Sequence, residues 1–198
     1  WQGGALAYDD PGAVPGTDYH YWVRATNATG FLAMDSDVGY RAIIYHVRTD
    51  GSDAADGLSW ANAFQTITNA LAVLNRGQTW VAAGTYSPGN GTGDSFRLKS
   101  NALVYGGFTN GGSMADRDWI ANPTILDGSN VNYHVLRAVD STPFVLDGFT
   151  IRGGNANAAD PDWYGAGIYV RGGVPIIRNC LFTNNAVTYA PGGFGGGA

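Results

Sequence analysis

The 198-residue chain carries 16 acidic residues against 11 Lys and Arg, a formal net charge of −5, with 14% charged residues and 30 glycines. An acidic balance without clustered Lys and Arg argues against nucleic acid as partner. No apolar run approaches the roughly 18 residues that a membrane-spanning helix needs. All the acidic residues are Asp and Lys99 is the single Lys. Scarce Glu and Lys beside abundant Gly, Asn and Asp predict strands and turns rather than exposed helices.

Residues 1–42 form a first segment. Tyr19, Tyr21 and Val23 alternate with His20, Trp22 and Arg24, the period-two pattern of a strand with two different faces. Pro15-Gly16 turns the chain before it and Asn27-Ala28-Thr29-Gly30 after it, and a second, weaker strand is predicted over residues 37–42. Two strands alone are marginal in water, so this hairpin needs something to pack on. Residues 43–198 form the second segment. Residues 43–47 read as a short strand and residues 50–57 as a polar loop. Ser59 is placed as the N-cap of an amphipathic helix over residues 61–75, with Phe64, Ile67, Leu71 and Leu74 on its apolar face and Gly77 as its stop. One such helix ahead of many strands suits a cap on a stack of sheets.

Five short blocks then recur at intervals of about 20–30 residues. They are Trp80-Val81-Ala82-Ala83-Gly84, Leu103-Val104-Tyr105-Gly106-Gly107, Thr124-Ile125-Leu126-Asp127-Gly128, Phe144-Val145-Leu146-Asp147-Gly148 and Pro175-Ile176-Ile177-Arg178-Asn179. Each is apolar and ends in Gly or Asn, which tolerate the left-handed backbone of a sharp corner. Such a period means a solenoid whose units bury their apolar faces against one another. The expected packing stacks Val81, Val104, Ile125, Val145 and Ile176 in one column, with Ile125 pointing inward. Phe96-Arg97-Leu98, His134-Val135-Leu136 and Ile168-Tyr169-Val170 are assigned to a second sheet. Phe149-Thr150-Ile151 and Cys180-Leu181-Phe182 are assigned to a third, and residues 153–165 to an inserted loop.

Two resemblances follow from these residues. The runs Asp56-Gly57-Leu58-Ser59-Trp60-Ala61-Asn62-Ala63-Phe64, Thr79-Trp80-Val81-Ala82-Ala83-Gly84-Thr85-Tyr86, Tyr105-Gly106-Gly107-Phe108, Arg117-Asp118-Trp119 and Thr124-Ile125-Leu126-Asp127-Gly128 resemble the opening of bacterial right-handed parallel β-helix repeat proteins. These belong to the pectate-lyase-like superfamily and include polymorphic outer-membrane-like proteins. The run from Pro175 to Asn185 looks like their internal repeat. The resemblance implies an all-β right-handed parallel β-helix over residues 43–198, secreted or at the cell surface. It does not fix a chemistry, because the superfamily holds lyases, glycosidases and adhesins alike. The stretch from Val14 to Ala25, followed by Asn27 and Gly30, resembles the last two strands of a fibronectin type III domain, without the strands that precede them.

Candidate sites follow from the same placement. Asp127 and Asp147 hold the same position in two blocks. If stacked, they would lie near the separation of a retaining glycosidase pair, about 5–5.5 Å, or would hold Ca²⁺. Arg178 holds that position in the last block, and the plainer reading is that Asp before Gly makes a corner. Asp50, Asp53 and Asp56, at regular spacing, are Ca²⁺ candidates against the plainer reading of a solvated turn, with Asp160 and Asp162 a weaker version. Trp163 and Tyr164 in the inserted loop, with Tyr169 on the strand after it, are candidates for stacking on sugar rings or for covering an apolar edge. His20, His46 and His134 show no ligand or triad spacing, and Cys180, the only cysteine, reads as a small core residue.

The reading that results is an extracellular structural or adhesive module without a catalytic constellation of its own. The alternatives are a polysaccharide lyase or glycoside hydrolase, for which Arg137, Arg152 and Arg178 are available, and a carbohydrate-binding module. Both ends of the chain read as cut from a longer polypeptide. The expected partners are neighbouring protein segments or copies that complete open β edges, and polysaccharide.

Overall fold

The structure is a computed structural model and describes residues 10–27, 30–140, 143–159, 162 and 164–188. It divides into two compact units, Trp1–Ile43 and Ile44–Ala198.

In the first unit, β1 (Asp18–Asn27) pairs antiparallel with β2 (Gly30–Tyr40) along their whole length, with one irregularity between Ala25 and Thr26. The second strand is longer than residues 37–42. Antiparallel partners continue down to Asn27↔Gly30 and carry Ala33–Ser36 into the ladder although the sequence there lacks β-branched residues. Tyr21 donates its hydroxyl to Asp10 Oδ2 at 3.1 Å, and Tyr19 Oη accepts the Val14 amide at 3.0 Å, so the tyrosine face holds the preceding turn. The opposite face leaves Trp22 exposed.

The second unit is a parallel β-helix. After β3 (Ile43–Val47) and a long loop comes α1 (Ile67–Val73), then β4 (Gly77–Ala82), β5 (Gly84–Tyr86), β6 (Phe96–Arg97) and β7 (Ala102–Phe108). The chain continues through β8 (Thr124–Asp127), β9 (Leu136–Val139), β10 (Phe144–Asp147), β11 (Phe149–Arg152), β12 (Asn155–Ala156) and β13 (Ile168–Arg171). It closes with β14 (Pro175–Arg178), β15 (Leu181–Thr183) and β16 (Ala186–Val187). Sheet I has the order β14-β10-β7-β4-β3, sheet II β15-β11-β8-β5 and sheet III β13-β9-β6, with β12 and β16 as a short extra pair. Within the coils from β4 onward, the assigned strand pairs are parallel.

Alternation along each strand points one residue in two to the core. Val104 and Leu146 stack inward from sheet I, Leu126 and Ile151 from sheet II, and Phe96, Leu136 and Ala138 from sheet III, all buried. The helix closes the start of this core with Ile67, Ala70 and Leu71. It is shorter than residues 61–75. Phe64 bridges to Val47, its amide bonds His46 O, and Asp53 Oδ1 takes the amides of Gln65 and Thr66. Those amides are unavailable to an earlier turn, so Thr66 and not Ser59 is the N-cap. The apolar face is as expected: Phe64, Ile67, Leu71 and Leu74 are all buried.

The single column of five blocks is not what forms. In sheet I, Val104 pairs with Thr79 and Leu146, while Val145 pairs with Leu103 and Ile176. Ile125 lies in sheet II between Thr85 and Thr150, with its neighbour Leu126 and not itself turned inward. The Thr124 block resembles the Phe144 block in sequence, but the chain leaves β7, makes an excursion over residues 109–123, and returns as the sheet II strand of the same coil. An excursion within a coil and a step to the next coil have the same length in sequence.

Candidate functional site

Asp127 and Asp147 end up on different sheets, and each meets an arginine one coil further. Asp127, at the end of β8, pairs in register with Arg152 of β11, whose Nη2 lies 2.8 Å from Asp127 Oδ2. Asp147, at the end of β10, pairs in register with Arg178 of β14, whose Nε donates to Asp147 Oδ2 at 2.6 Å. The stacked pair of carboxylates, one of the two readings of these residues, therefore does not form. What stacks is acid on base, the pairing that relieves charge between neighbouring strands.

Asp147 is the more deeply held of the two. Its side chain is 3% exposed, and Arg117 Nη2, from the excursion after β7, donates to its Oδ1 at 2.7 Å. Asn179 Nδ2 donates to the same oxygen at 2.9 Å. Arg117 also donates to the carbonyls of Gly106 and Asp147, and its guanidinium lies 5.1 Å from the Trp119 ring centre. Burial pushes the Asp147 carboxyl upward, but the hydrogen bonds from Arg117, Asn179 and Arg178 and the charge of Arg117 outweigh it, so it titrates below the ordinary carboxylate value. A carboxylate held ionised by three donors is a fastener, not a general acid. Gly148, the corner that follows, has φ +84 and lies against Arg117, so a Cβ there would collide with the guanidinium.

The three Ca²⁺ candidates do not converge. Asp53 binds the amides of Gln65 and Thr66 and the Thr66 hydroxyl; Asp56 binds the Leu58 amide at 3.0 Å; Asp50 lies 3.7 Å from Arg48. Among the described residues no three His, Cys or acidic side chains gather as a metal cluster. Cys180 is half-buried against the core, and burial pushes its thiol up from the ordinary value. His46 is fixed by an Nδ1 contact to Gly57 O at 3.2 Å and by Trp60, edge-on at 4.7 Å. Burial lowers its pKa against the Gly57 contact.

The sugar-contact candidates mark the outer face of sheet III. Tyr169 of β13 stands in register with Arg137 of β9, and Arg137 with Arg97 of β6. The Arg137 guanidinium lies 5.5 Å from the Tyr169 ring centre. His134 stacks on Tyr169 with ring centres 5.0 Å apart and Tyr164 stacks on Tyr169 at 6.5 Å, so the Tyr169 ring is braced by protein groups. The inserted loop is tied down beside it, where His134 Nε2 lies 3.2 Å from Asp162 Oδ1 and Nδ1 lies 3.1 Å from Gly165 O. Trp163 and Asp160 lie outside the described residues.

Arg97 and Arg137 differ from the arginines around them. Arg48, Arg117, Arg152, Arg171 and Arg178 each have an Asp partner. Among the described residues neither Arg97 nor Arg137 has a carboxylate within ion-pair distance, and the buried Arg137 Nε has no hydrogen-bond partner. The sequence left Arg137 as one of several equivalent arginines and did not single out Arg97. The signal is the repeated apolar-Arg-apolar pattern in Phe96-Arg97-Leu98 and Leu136-Arg137-Ala138; the strand expected over His134-Val135-Leu136 stops one residue short of Arg137, whereas β9 runs Leu136–Val139.

Among the comparisons with known proteins, no curated protein sequence and no solved structure matches the chain. Residues 49–190, most of the β-helical unit, match the family described as Protein of unknown function (DUF1565), a right-handed β-helix family, and the chain belongs to it.

Proposed function

We propose that the chain is an extracellular or cell-surface β-helix module with a structural and adhesive role, one that contacts polysaccharide without cleaving it. The observation that supports this reading is the engagement of Asp127 and Asp147. Glycosidic cleavage by two carboxylates needs one free to donate a proton and the other free to attack or to activate water. Here each is neutralised by an arginine of the next coil, and both serve to hold coils together. The accessible chemistry is instead on the outer face of sheet III, where guanidinium and aromatic groups stand in one column. Incubation with a panel of neutral and acidic polysaccharides should yield no new reducing ends and no unsaturated products, while co-sedimentation with at least one insoluble or cross-linked polysaccharide persists. Product formation would overturn the non-catalytic reading, and absence of retention on every polysaccharide would overturn the adhesive one.

The hairpin of residues 18–40 is proposed as the end of a fibronectin type III-like unit whose edges take further strands, from a longer chain or a neighbouring copy. Its support is the two-stranded sheet with exposed Trp22, Val23 and Met34, too little to stand alone. Its amides should exchange rapidly in the isolated chain. Protection as strong as in sheet I would count against it.

A further inference from the structure

We infer that Arg97 and Arg137 form an anion-recognition strip on the outer face of sheet III, and that its ligand is an acidic glycan bearing carboxylate or sulfate groups. The inference rests on the adhesive reading above and specifies its ligand class. Parallel register sets the two arginines directly beside each other on adjacent strands, about 4.8 Å apart along the stack. Like charges in that position oppose folding. Elsewhere in this unit the same geometry is resolved by an Asp, as in Asp127–Arg152 and Asp147–Arg178. On sheet III the third member of the column is Tyr169, which offers a ring face to Arg137 but no negative charge.

The guanidinium of Arg137 is thus oriented without being neutralised. Its Nε is shielded from water and without a hydrogen-bond partner, while the residue as a whole is partly exposed and presents its remaining surface to a ligand. A planar fork of N–H donors matches the two oxygens of a carboxylate or sulfate better than the single oxygen of a neutral sugar hydroxyl. Two such forks one strand apart select a ligand with repeated negative groups. A nucleic acid is the less favoured polyanion, because a continuous phosphate backbone is bound by clustered Lys and Arg, and the strip holds two arginines.

The test uses the whole chain in affinity electrophoresis and thermal-shift measurements with polygalacturonate, dextran sulfate, neutral dextran and a single-stranded DNA oligonucleotide. Polygalacturonate or dextran sulfate should retard the protein and raise its Tm, and added salt should weaken both effects. R137Q should weaken that binding about tenfold or more, the scale of a lost charge-assisted pair. R97Q should weaken it too while leaving or raising the ligand-free Tm, since it removes a like-charge contact. R152Q, on sheet II, should bind as the wild type does. If R137Q fails to fold, R97Q carries the same comparison. Equal binding of neutral dextran and the acidic polymers, unchanged by R137Q or R97Q, would overturn this inference and leave the adhesive reading standing. Tighter binding of DNA than of either acidic glycan would also overturn it. No binding to any polysaccharide would overturn both.

Discussion

Replacing Asp147 with Ala probes what holds the third coil to its neighbours. In the folded protein its carboxylate, 3% exposed, accepts from Arg117 at 2.7 Å, Arg178 at 2.6 Å and Asn179 at 2.9 Å. The partners are not equivalent. Arg178 is 58% exposed and regains water when the carboxylate is lost, so its bond contributes up to about 1 kcal/mol. Arg117 is 7% exposed and does not. Asp147→Ala leaves that guanidinium desolvated and without its counter-charge, a change that costs about 3–5 kcal/mol. Against a total stability of about 5–15 kcal/mol this is a large fraction. Equilibrium urea unfolding of Asp147→Ala, Arg178→Ala and the wild type should show a large fall in midpoint for the first and a small one for the second, at similar m-values. If the two variants are destabilised equally, or if Asp147→Ala costs under about 1 kcal/mol, the buried-pair reasoning is wrong.

Three further outcomes follow. Leu126→Asp should prevent folding because it buries an unpaired charge, whereas Ile125→Asp, whose side chain turns outward, should leave a cooperative thermal transition; the reverse order would refute the facing assigned to β8. Stability should fall on acidification in two stages. His46, lowered from 6.5, stabilises fully above that value and loses its contribution as pH drops through the lower folded value. Asp147, lowered from 3.8, does the same below that value, so the second stage should shrink in Asp147→Asn when Tm is followed from pH 8 to 3. Gly148→Ala should destabilise by about 1–3 kcal/mol, through φ +84 and the collision with Arg117, and a wild-type Tm for that variant would refute the corner geometry.

Much of this molecule is legible in its sequence. Short apolar blocks ending in Gly or Asn require a chain that turns sharply and often, and such blocks bury their apolar side only by stacking, so parallel coils follow from local pattern alone. The left-handed corners at Gly148 and Asn179 stand where the sequence put them. The membership of sheet III was readable for the same reason, since Phe96, Leu136 and Ile168 keep one face apolar through three coils. What only the tertiary structure decided is which blocks are neighbours. Asp127 and Asp147 look interchangeable in sequence, yet the excursion through Arg117 puts one on sheet II and the other on sheet I, each against an arginine. The unpaired column of Arg97 and Arg137 is likewise a fact of register. Local sequence sets how a strand alternates and where it bends, but the register between strands far apart in the chain is settled by the core they share. It is register that determines whether a charge meets its opposite, its like, or a ring.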